Sequence, residues 1–426
     1  MEAITYDRLQ ETLYHETMSN GLQVYVLPKP GFQKTYATFS TKYGSIDNHF
    51  RVEGESEISV PDGIAHFLEH KMFEEPEGDI FTKFAMQGAS ANAFTSFDQT
   101  VYLFSATENI MANLETLVNF VQHPYFTDQN VEKEKGIIGQ EIGMYGDNPD
   151  WRVYFGLIEA MYAVHPVRID IAGTVESIAT ITKETLYTCY NAFYHPSNML
   201  LFVVGGVDPE EVFRMIRDNQ AAKDYKPQGA IERLFDQEPT AVHQARKVSK
   251  LPVSLPKCLF GFKETQLGVS GEELLRRDLT TKLAMDLLLG SSTKLYQKLY
   301  DMDLISDGFS YEYNSNPHYC FSAIGGDTKD PDQLLEVIKS EIEAVKASGF
   351  RAEDFVRAKN KKIGGYLRML NYPENIAHEF TRYNFRGGDL FKVLPIYETL
   401  TLEDVNERLR EHIDWNQLAV SLVVSP

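Results

Sequence analysis

The chain has 426 residues, enough for two or three domains of about 150 residues each. Apolar residues make up 43% of it and charged residues 24%, which is an ordinary globular mixture. The 61 acidic residues outweigh 41 Lys and Arg, and the resulting net charge of −20 argues against the basic surface that nucleic acids and anionic membranes require.

The cysteines Cys189, Cys258 and Cys320 are widely separated and odd in number. They predict neither a disulfide framework nor a thiolate metal cluster, and they favour a reducing compartment. The first residues are acidic and lack the apolar run of a signal peptide, and no stretch reaches the roughly 18 apolar residues of a membrane span. We therefore expect a cytoplasmic protein with no membrane insertion and no nucleic-acid partner.

Hydrophobic spacing predicts both strands and helices. Runs of β-branched and aromatic residues at 22–27 and 101–105 indicate strands. Apolar residues at helical spacing predict helices at 115–121, 131–144 and 332–347. Strands and helices do not alternate strictly, so the expected fold class is α+β, with mixed β-sheet packed against helices.

A domain boundary is expected near the middle of the chain. The apolar strand at 200–207 is followed by a helix start and then by a polar stretch that contains Pro and Gly. This order predicts an N-terminal domain at 1–217, a linker at 218–238 and a C-terminal domain at 239–426.

The two halves resemble each other at a constant offset of 217 positions. Three pairs of segments carry the match: 35–47 with 252–264, 65–73 with 282–290, and 102–107 with 319–324. Gly44 then falls on Gly261. Strand-like and helix-like blocks recur in one order, which favours an internal duplication over chance similarity between amphipathic segments.

The segment from His66 to His70 carries the clearest chemical signal. On a helix, His66 and His70 lie four residues apart and project from one face, so both imidazoles can bind one metal ion. Glu69 lies on the flank of that face, close enough to act on a water molecule held there. The pattern is the inverted zinc-peptidase motif His-x-x-Glu-His, and a single copy is suggestive rather than decisive.

Catalytic zinc needs a third protein ligand and an open coordination position. A second acidic helix offers that ligand, because Glu134 and Glu141 are seven residues apart, two turns along one face. One carboxylate can bind the metal while the other supports a histidine. A helix rich in Glu and Lys is more often only a solvated surface, and the histidine motif upstream is what favours the functional interpretation.

Further segments follow the motif in a characteristic order: Asn92-Ala93-Phe94-Thr95 with Thr100-Val101-Tyr102, then Glu134 and Glu141, then Tyr194-His195-Pro196-Ser197-Asn198-Met199 before an apolar strand that ends in Gly205. In this combination the chain resembles the pitrilysin/insulinase family of zinc metallopeptidases, in the branch similar to mitochondrial processing peptidase. The resemblance runs along the whole chain and is closest at 20–210.

The resemblance implies a role for each matching residue. His66, His70 and Glu141 would bind one zinc ion per chain. Glu69 would be the general base, and Glu134 would be a second acidic residue that supports the site.

The same resemblance implies how substrate binds. Asn92 and Ala93 would lie on an edge strand that takes the peptide as an added β-strand. The implied fold is two similar α+β halves from an internal duplication, hinged as a clamshell around a chamber. The implied activity is endopeptidase hydrolysis of unfolded peptides.

The second half lacks the metal ligands. At the offset of 217, the four motif residues meet Leu283, Asp286, Leu287 and Ala358. One half is therefore expected to carry the chemistry and the other to shape the cavity.

One departure from the family bears on activity. Active members carry Arg and, seven residues later, Tyr in the second half, whereas this chain has Tyr300 and Asp307. Arg and Tyr there would hold the substrate and the developing oxyanion, a contribution of about 3 kcal/mol. Since paired members divide the zinc motif and the Arg/Tyr pair between two subunits, the resemblance implies a heterodimer with a paralogous partner.

The alternative function is a non-catalytic subunit that serves assembly or peptide holding. A subunit that has lost its activity usually lacks at least one of the four motif residues, and here His66, Glu69, His70 and Glu141 are all present. Their presence favours the enzyme.

Overall fold

The computed structural model describes residues 1–76 and 78–426. Its strands in chain order are β1 (Glu2–Tyr6), β2 (Glu11–Thr17), β3 (Gln23–Pro28), β4 (Thr35–Thr41), β5 (His49–Val52), β6 (Ile58–Ser59), β7 (Glu74–Glu75), β8 (Gly78–Asp79), β9 (Ala89–Thr95), β10 (Thr100–Ala106), β11 (Met199–Gly205), β12 (Ile231–Arg233), β13 (Arg246–Lys250), β14 (Lys257–Phe262), β15 (Ser310–Ser315), β16 (Cys320–Asp327) and β17 (Leu418–Val424).

The α-helices are α1 (Ile64–Met72), α2 (Ile80–Met86), α3 (Ile110–Val121), α4 (Asp128–Gly146), α5 (Pro149–Met161), α6 (Val175–Ala179), α7 (Lys183–Phe193), α8 (Pro209–Ala221), α9 (Gly271–Leu289), α10 (Lys294–Asp301), α11 (Pro331–Ser348), α12 (Ala352–Met369), α13 (Pro373–Phe385), α14 (Val393–Thr399) and α15 (Leu402–His412). The predicted strands and helices all fall on elements of their own type, namely β3, β10, β11, α3, α4 and α11.

The chain forms two compact units, each with its own sheet. Unit 1 comprises 1–142, 169–235 and 370–382, and unit 2 comprises 143–168, 236–369 and 383–426. In unit 1 the strand order is β1-β2-β3-β11-β4-β10-β9, so β9 forms one edge of the sheet. β11 runs parallel to β3, and the pairings from β11 through β4 and β10 to β9 are antiparallel.

Unit 2 repeats this topology. Its strand order is β13-β17-β14-β16-β15, with β13 parallel to β17 and the following pairs antiparallel. Strand for strand this matches β3-β11-β4-β10-β9 of unit 1. Helices pack against both sheets, and each unit has a separate hydrophobic core. The predicted α+β class and the internal duplication are therefore confirmed.

The constant offset of 217 is wrong in detail. The first residues of β4 and β14 are 222 positions apart, and those of β11 and β17 are 219 apart. Gly44 lies after the end of β4, whereas Gly261 lies inside β14, so these two glycines do not correspond. Loops of different length in the two halves shift the true correspondence along the chain.

Each half of the sequence contributes one helix to the unit that is formed mainly by the other half, and we call these two the exchanged helices. α5 comes from the N-terminal half but belongs to unit 2, where it packs on β13, β14 and β17. The segment 370–382, which includes most of α13, belongs to unit 1, where Phe380 stacks on Phe202 with ring centroids 4.4 Å apart. Both segments cross the predicted boundary, and part of the predicted linker forms β12, which pairs with β5.

In the described part of the chain, no helix combines the length and apolar character needed to cross a bilayer. Cys189, Cys258 and Cys320 are all free and buried. The reducing, cytoplasmic setting stays a prediction.

Candidate metal centre

Helix α1 is short and firmly anchored. It begins after Gly63, whose φ of 84° and close approach to the Ala172 carbonyl leave no room for a side chain. Ile64, Phe67 and Leu68 are buried in the unit 1 core, which orients the helix. His66 and Glu69 are only 8% and 7% exposed.

Helix α4 presents its acidic residues from one face. Val131, Glu134 and Ile138 are buried, and Glu141 follows three residues after Ile138. This spacing of three and four residues is that of a helical stripe, so the two carboxylates share the side on which Val131 and Ile138 pack into the core.

The two helices bring three potential ligands together. The Nε2 atoms of His66 and His70 lie 3.8 and 3.5 Å from the carboxylate oxygens of Glu141. Among the described residues, these three side chains place ligand atoms within 4.8 Å of one another. Ligands about 2.0–2.1 Å from one tetrahedral zinc ion stand roughly 3.4 Å apart. Two imidazoles and a carboxylate at these separations fit a zinc site with an open fourth position.

A second carboxylate sits behind His70. The Nδ1 atom of His70 lies 3.1 Å from Glu134 Oε1. Because an ionised carboxylate can only accept, the neutral ring of His70 would carry its proton on Nδ1 and leave the lone pair of Nε2 for a metal. Lys71, which is fully buried, donates to Glu134 Oε2 at 3.4 Å and also pairs with Glu74.

Glu69 does not join the ligand group. The hydroxyl of Thr95, on β9, donates to Glu69 Oε2 at 2.9 Å. Burial raises the pKa of Glu69 above its usual value. A carboxylate with raised pKa next to a metal site is suited to proton transfer.

The two histidines have pKa values shifted in opposite directions. Burial, followed by the nearby charge of His70, lowers the pKa of His66 to about 4, which keeps its ring neutral. Burial acts in the same direction on His70, but the hydrogen bond to Glu134 and the charge of Glu69 outweigh it and raise that pKa. Burial would raise the pKa of Glu134, yet His70 and Lys71 hold it below its usual value.

Asn92 and Ala93 lie on the edge strand β9, opposite Leu103 and Tyr102 of β10. The side chain of Asn92 is exposed, and its Oδ1 accepts a hydrogen bond of 2.9 Å from the Ala93 N–H. An N–H bonded to its neighbour's side chain in this way is available for exchange with an incoming strand. Their predicted role in substrate binding stays a prediction.

In unit 2, Leu283, Asp286 and Leu287 lie on α9 and Ala358 lies on α12. Tyr300 lies on α10 with an exposed side chain, and Asp307 follows α10 in an exposed turn. Tyr300 and Asp307 differ from the Arg and Tyr that the resemblance implies at these two positions.

Two residues at the centre were missed from the sequence. Thr95 is an even number of positions from Ala93, so strand alternation could have placed both on the face that looks toward α1. Lys71 carried no signal, because a lysine on an amphipathic helix is ordinarily solvated.

Two family models match parts of the chain. The family model "Insulinase (Peptidase family M16)" matches residues 56–175, and "Peptidase M16 inactive domain" matches residues 180–362. The chain is 55% identical over 426 residues to the uncharacterized zinc protease YmfH of Bacillus subtilis, covering 100% of this chain and 99% of the relative.

Solved structures match along the full length. A protein from Alicyclobacillus acidocaldarius, described as an M16-like peptidase, superposes with a TM-score of 0.95 at 42% identity, with 100% of both chains covered. A protease from Helicobacter pylori has the same fold, with a TM-score of 0.83 at 20% identity, covering 97% of this chain and 99% of its own. The chain therefore belongs to the insulinase family, peptidase family M16.

Proposed function

We propose that this protein is a zinc-dependent endopeptidase with the inverted His-x-x-Glu-His motif. The observation that carries the proposal is the convergence of His66, His70 and Glu141 beside the buried carboxylate of Glu69. Membership in a peptidase family and relatives named as zinc proteases support it. One zinc ion per chain would be held by these three ligands.

The bound metal would supply a Lewis acid that polarises the scissile carbonyl and activates a water molecule. Glu69 accepts one proton from that water as its oxygen adds to the carbonyl carbon. The same carboxyl group then returns the proton to the amide nitrogen as the C–N bond breaks. Thr95, by donating to Oε2, leaves Oε1 of Glu69 free for this transfer.

Substrate would bind as an extended strand along β9. This strand is an edge of the unit 1 sheet, and an edge offers unpaired main-chain groups to a peptide. Asn92 and Ala93 would pair with the peptide backbone, while Thr95 of the same strand reaches Glu69. Selection would then depend on extended conformation more than on one side chain. A chamber of the kind that the family fold implies would further restrict entry to unfolded peptides.

The test is cleavage of an unstructured quenched peptide by the purified chain supplied with zinc. Glu69→Gln is expected to lower the rate by a factor of about 10²–10⁴ while leaving zinc bound, since Glu69 is not a ligand. Glu132→Gln removes an equal charge from an exposed position on α4 and is expected to leave the rate unchanged. Equal rates for Glu69→Gln and the parent would contradict the proposal.

A partner requirement is the second part of the proposal. Tyr300 stands where the resemblance implies Arg, and Asp307 stands where it implies Tyr, so the chain lacks this pair for holding an oxyanion at these positions. We infer that a paralogous subunit supplies Arg and Tyr in a cytoplasmic heterodimer. Weak cleavage by the chain alone, restored when the paralogue is added, is the expected result. Full activity of a monomer would contradict the partner requirement and leave the peptidase proposal standing.

The alternative, a non-catalytic peptide-holding subunit, has one observation in its favour. The second half of the chain matches a domain described as inactive, and it lacks the Arg/Tyr pair. Zinc binding separates the two candidates in part, because a holding subunit has no need of the metal. A chain that binds unfolded peptide, binds no zinc and remains silent with every paralogue would favour the alternative.

A further inference from the structure

Lys71 is fully buried, which is rare for a lysine side chain. It follows His70 directly on α1, and its side chain has 0% exposure. A buried ammonium group costs several kcal/mol of desolvation unless anionic partners surround it. Here those partners are Glu74 and Glu134, the latter at 3.4 Å.

The carboxylate of Glu134 is divided between two donors. Its Oε1 atom lies 3.1 Å from His70 Nδ1, and its Oε2 atom accepts from Lys71. A carboxylate held by only one oxygen can rotate about its terminal bond. Held by both, it stays fixed beside His70 Nδ1 and so holds the ring with its Nε2 atom 3.5 Å from Glu141.

The two histidines differ in this respect. Within residues 1–76 and 78–426, the buried Nδ1 atom of His66 has no hydrogen-bond partner. His70 is thus the histidine whose orientation a carboxylate supports, and that support continues through Lys71 to Glu74 on β7.

We propose that Lys71 is a positioning residue for the metal centre, acting through Glu134 on His70. The inference rests on the proposed zinc site. A lysine that only stabilised the fold would affect unfolding and leave metal affinity unchanged. The Lys71–Glu134–His70 chain therefore predicts an effect on zinc affinity at constant fold.

The experiment measures the zinc dissociation constant of the full chain by competition with a chromophoric chelator. Lys71→Met, which keeps the length of the side chain and removes its charge, is expected to weaken zinc binding about 10- to 100-fold. Lys263→Met is the matched control, because Lys263 is 4% exposed and pairs with Glu238 inside unit 2. The control is expected to lower the melting temperature and to leave zinc affinity within about threefold of the parent.

Unchanged zinc affinity in a folded Lys71→Met variant would overturn the inference. If that variant does not fold, the comparison moves to the Glu134→Gln background, in which no buried carboxylate loses its cation. There Lys71→Met is expected to change affinity less than about threefold, because its route to His70 is already broken. A further tenfold loss in that background would overturn the inference. If the parent itself binds no zinc, the proposed function fails first, so the two failures are distinguishable.

Discussion

The two units share one strand order. They differ in the charged side chains that two helices of each unit bring together. In unit 1, α1 and α4 bring the carboxylates of Glu69, Glu134 and Glu141 beside two histidines. The buried lysine of this cluster, Lys71, pairs with Glu134 and Glu74. In unit 2, α9 packs against the edge strand β15 and against α12, and there one carboxylate faces two lysines.

The unit 2 cluster is centred on Asp286. Its Oδ1 accepts from the Tyr311 hydroxyl at 2.6 Å and from Lys361 at 2.9 Å, and Lys362 lies 3.7 Å away. Burial would raise the pKa of Asp286, but Tyr311 and the lysines hold it below its usual value. The negative charge of Asp286 is therefore paired with positive charge from the same cluster.

The two units therefore differ more in the charge of these side-chain clusters than in the arrangement of their backbone. The unit 1 cluster carries an excess of carboxylates that a divalent cation can neutralise, and it has two imidazoles to bind one. The unit 2 cluster has lysine ammonium groups in the corresponding position and no unmet negative charge. A duplicated scaffold can therefore keep its fold while one copy has no use for a metal.

The largest expected effect on zinc affinity comes from removing a carboxylate of the proposed site in unit 1. Glu141→Gln should weaken zinc binding on the order of a thousandfold, about 4 kcal/mol, since it removes one of three ligands. Chelator competition measures the change. Glu132→Gln, which alters an exposed carboxylate on the same helix, should leave the affinity unchanged. A Glu141→Gln variant with parental affinity would show that the metal ligands lie elsewhere.

A second prediction concerns the exchanged helix. Phe380→Ala should destabilise unit 1 by about 3–5 kcal/mol, because Phe380 packs on Tyr25 and Phe202. Hydrogen exchange should show faster exchange of β11 amides while β17 amides keep their protection. Tyr372→Ala, at a half-exposed position of the same segment, is the control. Loss of protection in β17 alone would contradict the assignment of this segment to unit 1.

A third prediction concerns the pH dependence of stability that a buried carboxylate gives to unit 2. In unit 2, buried Glu264 pairs with Arg408 and lies near Tyr313 and His412. Burial would raise its pKa, but His412 and Arg408 lower it to about 2. The carboxylate should therefore contribute stability that is present above its unfolded pKa of about 4.5 and is lost as pH falls toward 2, about 3 kcal/mol in all.

Urea unfolding of the parent and Glu264→Gln between pH 7 and pH 3 measures this term. The parent should lose more stability than the variant as pH falls below about 4.5, because the amide does not titrate. Zinc affinity at pH 7 should be the same in both proteins. Parallel pH profiles would rule out the assigned role of Glu264.

The smallest expected effect comes from the counterpart cluster. Asp286→Asn keeps a partner for Tyr311 and leaves Lys361 able to reach solvent, so a loss of about 1–2 kcal/mol in unfolding free energy is expected. Zinc affinity should not change. Altered affinity in this variant would mean that unit 2 also contributes to metal binding, contrary to the assignment of the metal site to unit 1.

Local spacing accounts for what could be predicted of the site. A helix repeats every 3.6 residues, so His66 and His70 had to share a face, and Glu134 and Glu141 had to lie two turns apart on another. The same regularity located the helices α3, α4 and α11, and the recurrence of strand and helix blocks revealed the duplication. The offset of 217 was wrong because sequence similarity between short amphipathic blocks does not register loop-length differences.

The types of chemical group, their spacing along each helix and the α+β class could be predicted because they depend on residues close together in the chain, and the duplication could be predicted because such local patterns recur. Tertiary folding brings α1 and α4 together, places the Thr95 hydroxyl against Glu69 and buries Lys71 against Glu134. It also decides that α5 and the segment 370–382 cover sheets built from the opposite halves of the chain. These contacts join residues far apart in sequence, and their free energy depends on burial and charge pairing that no local pattern records.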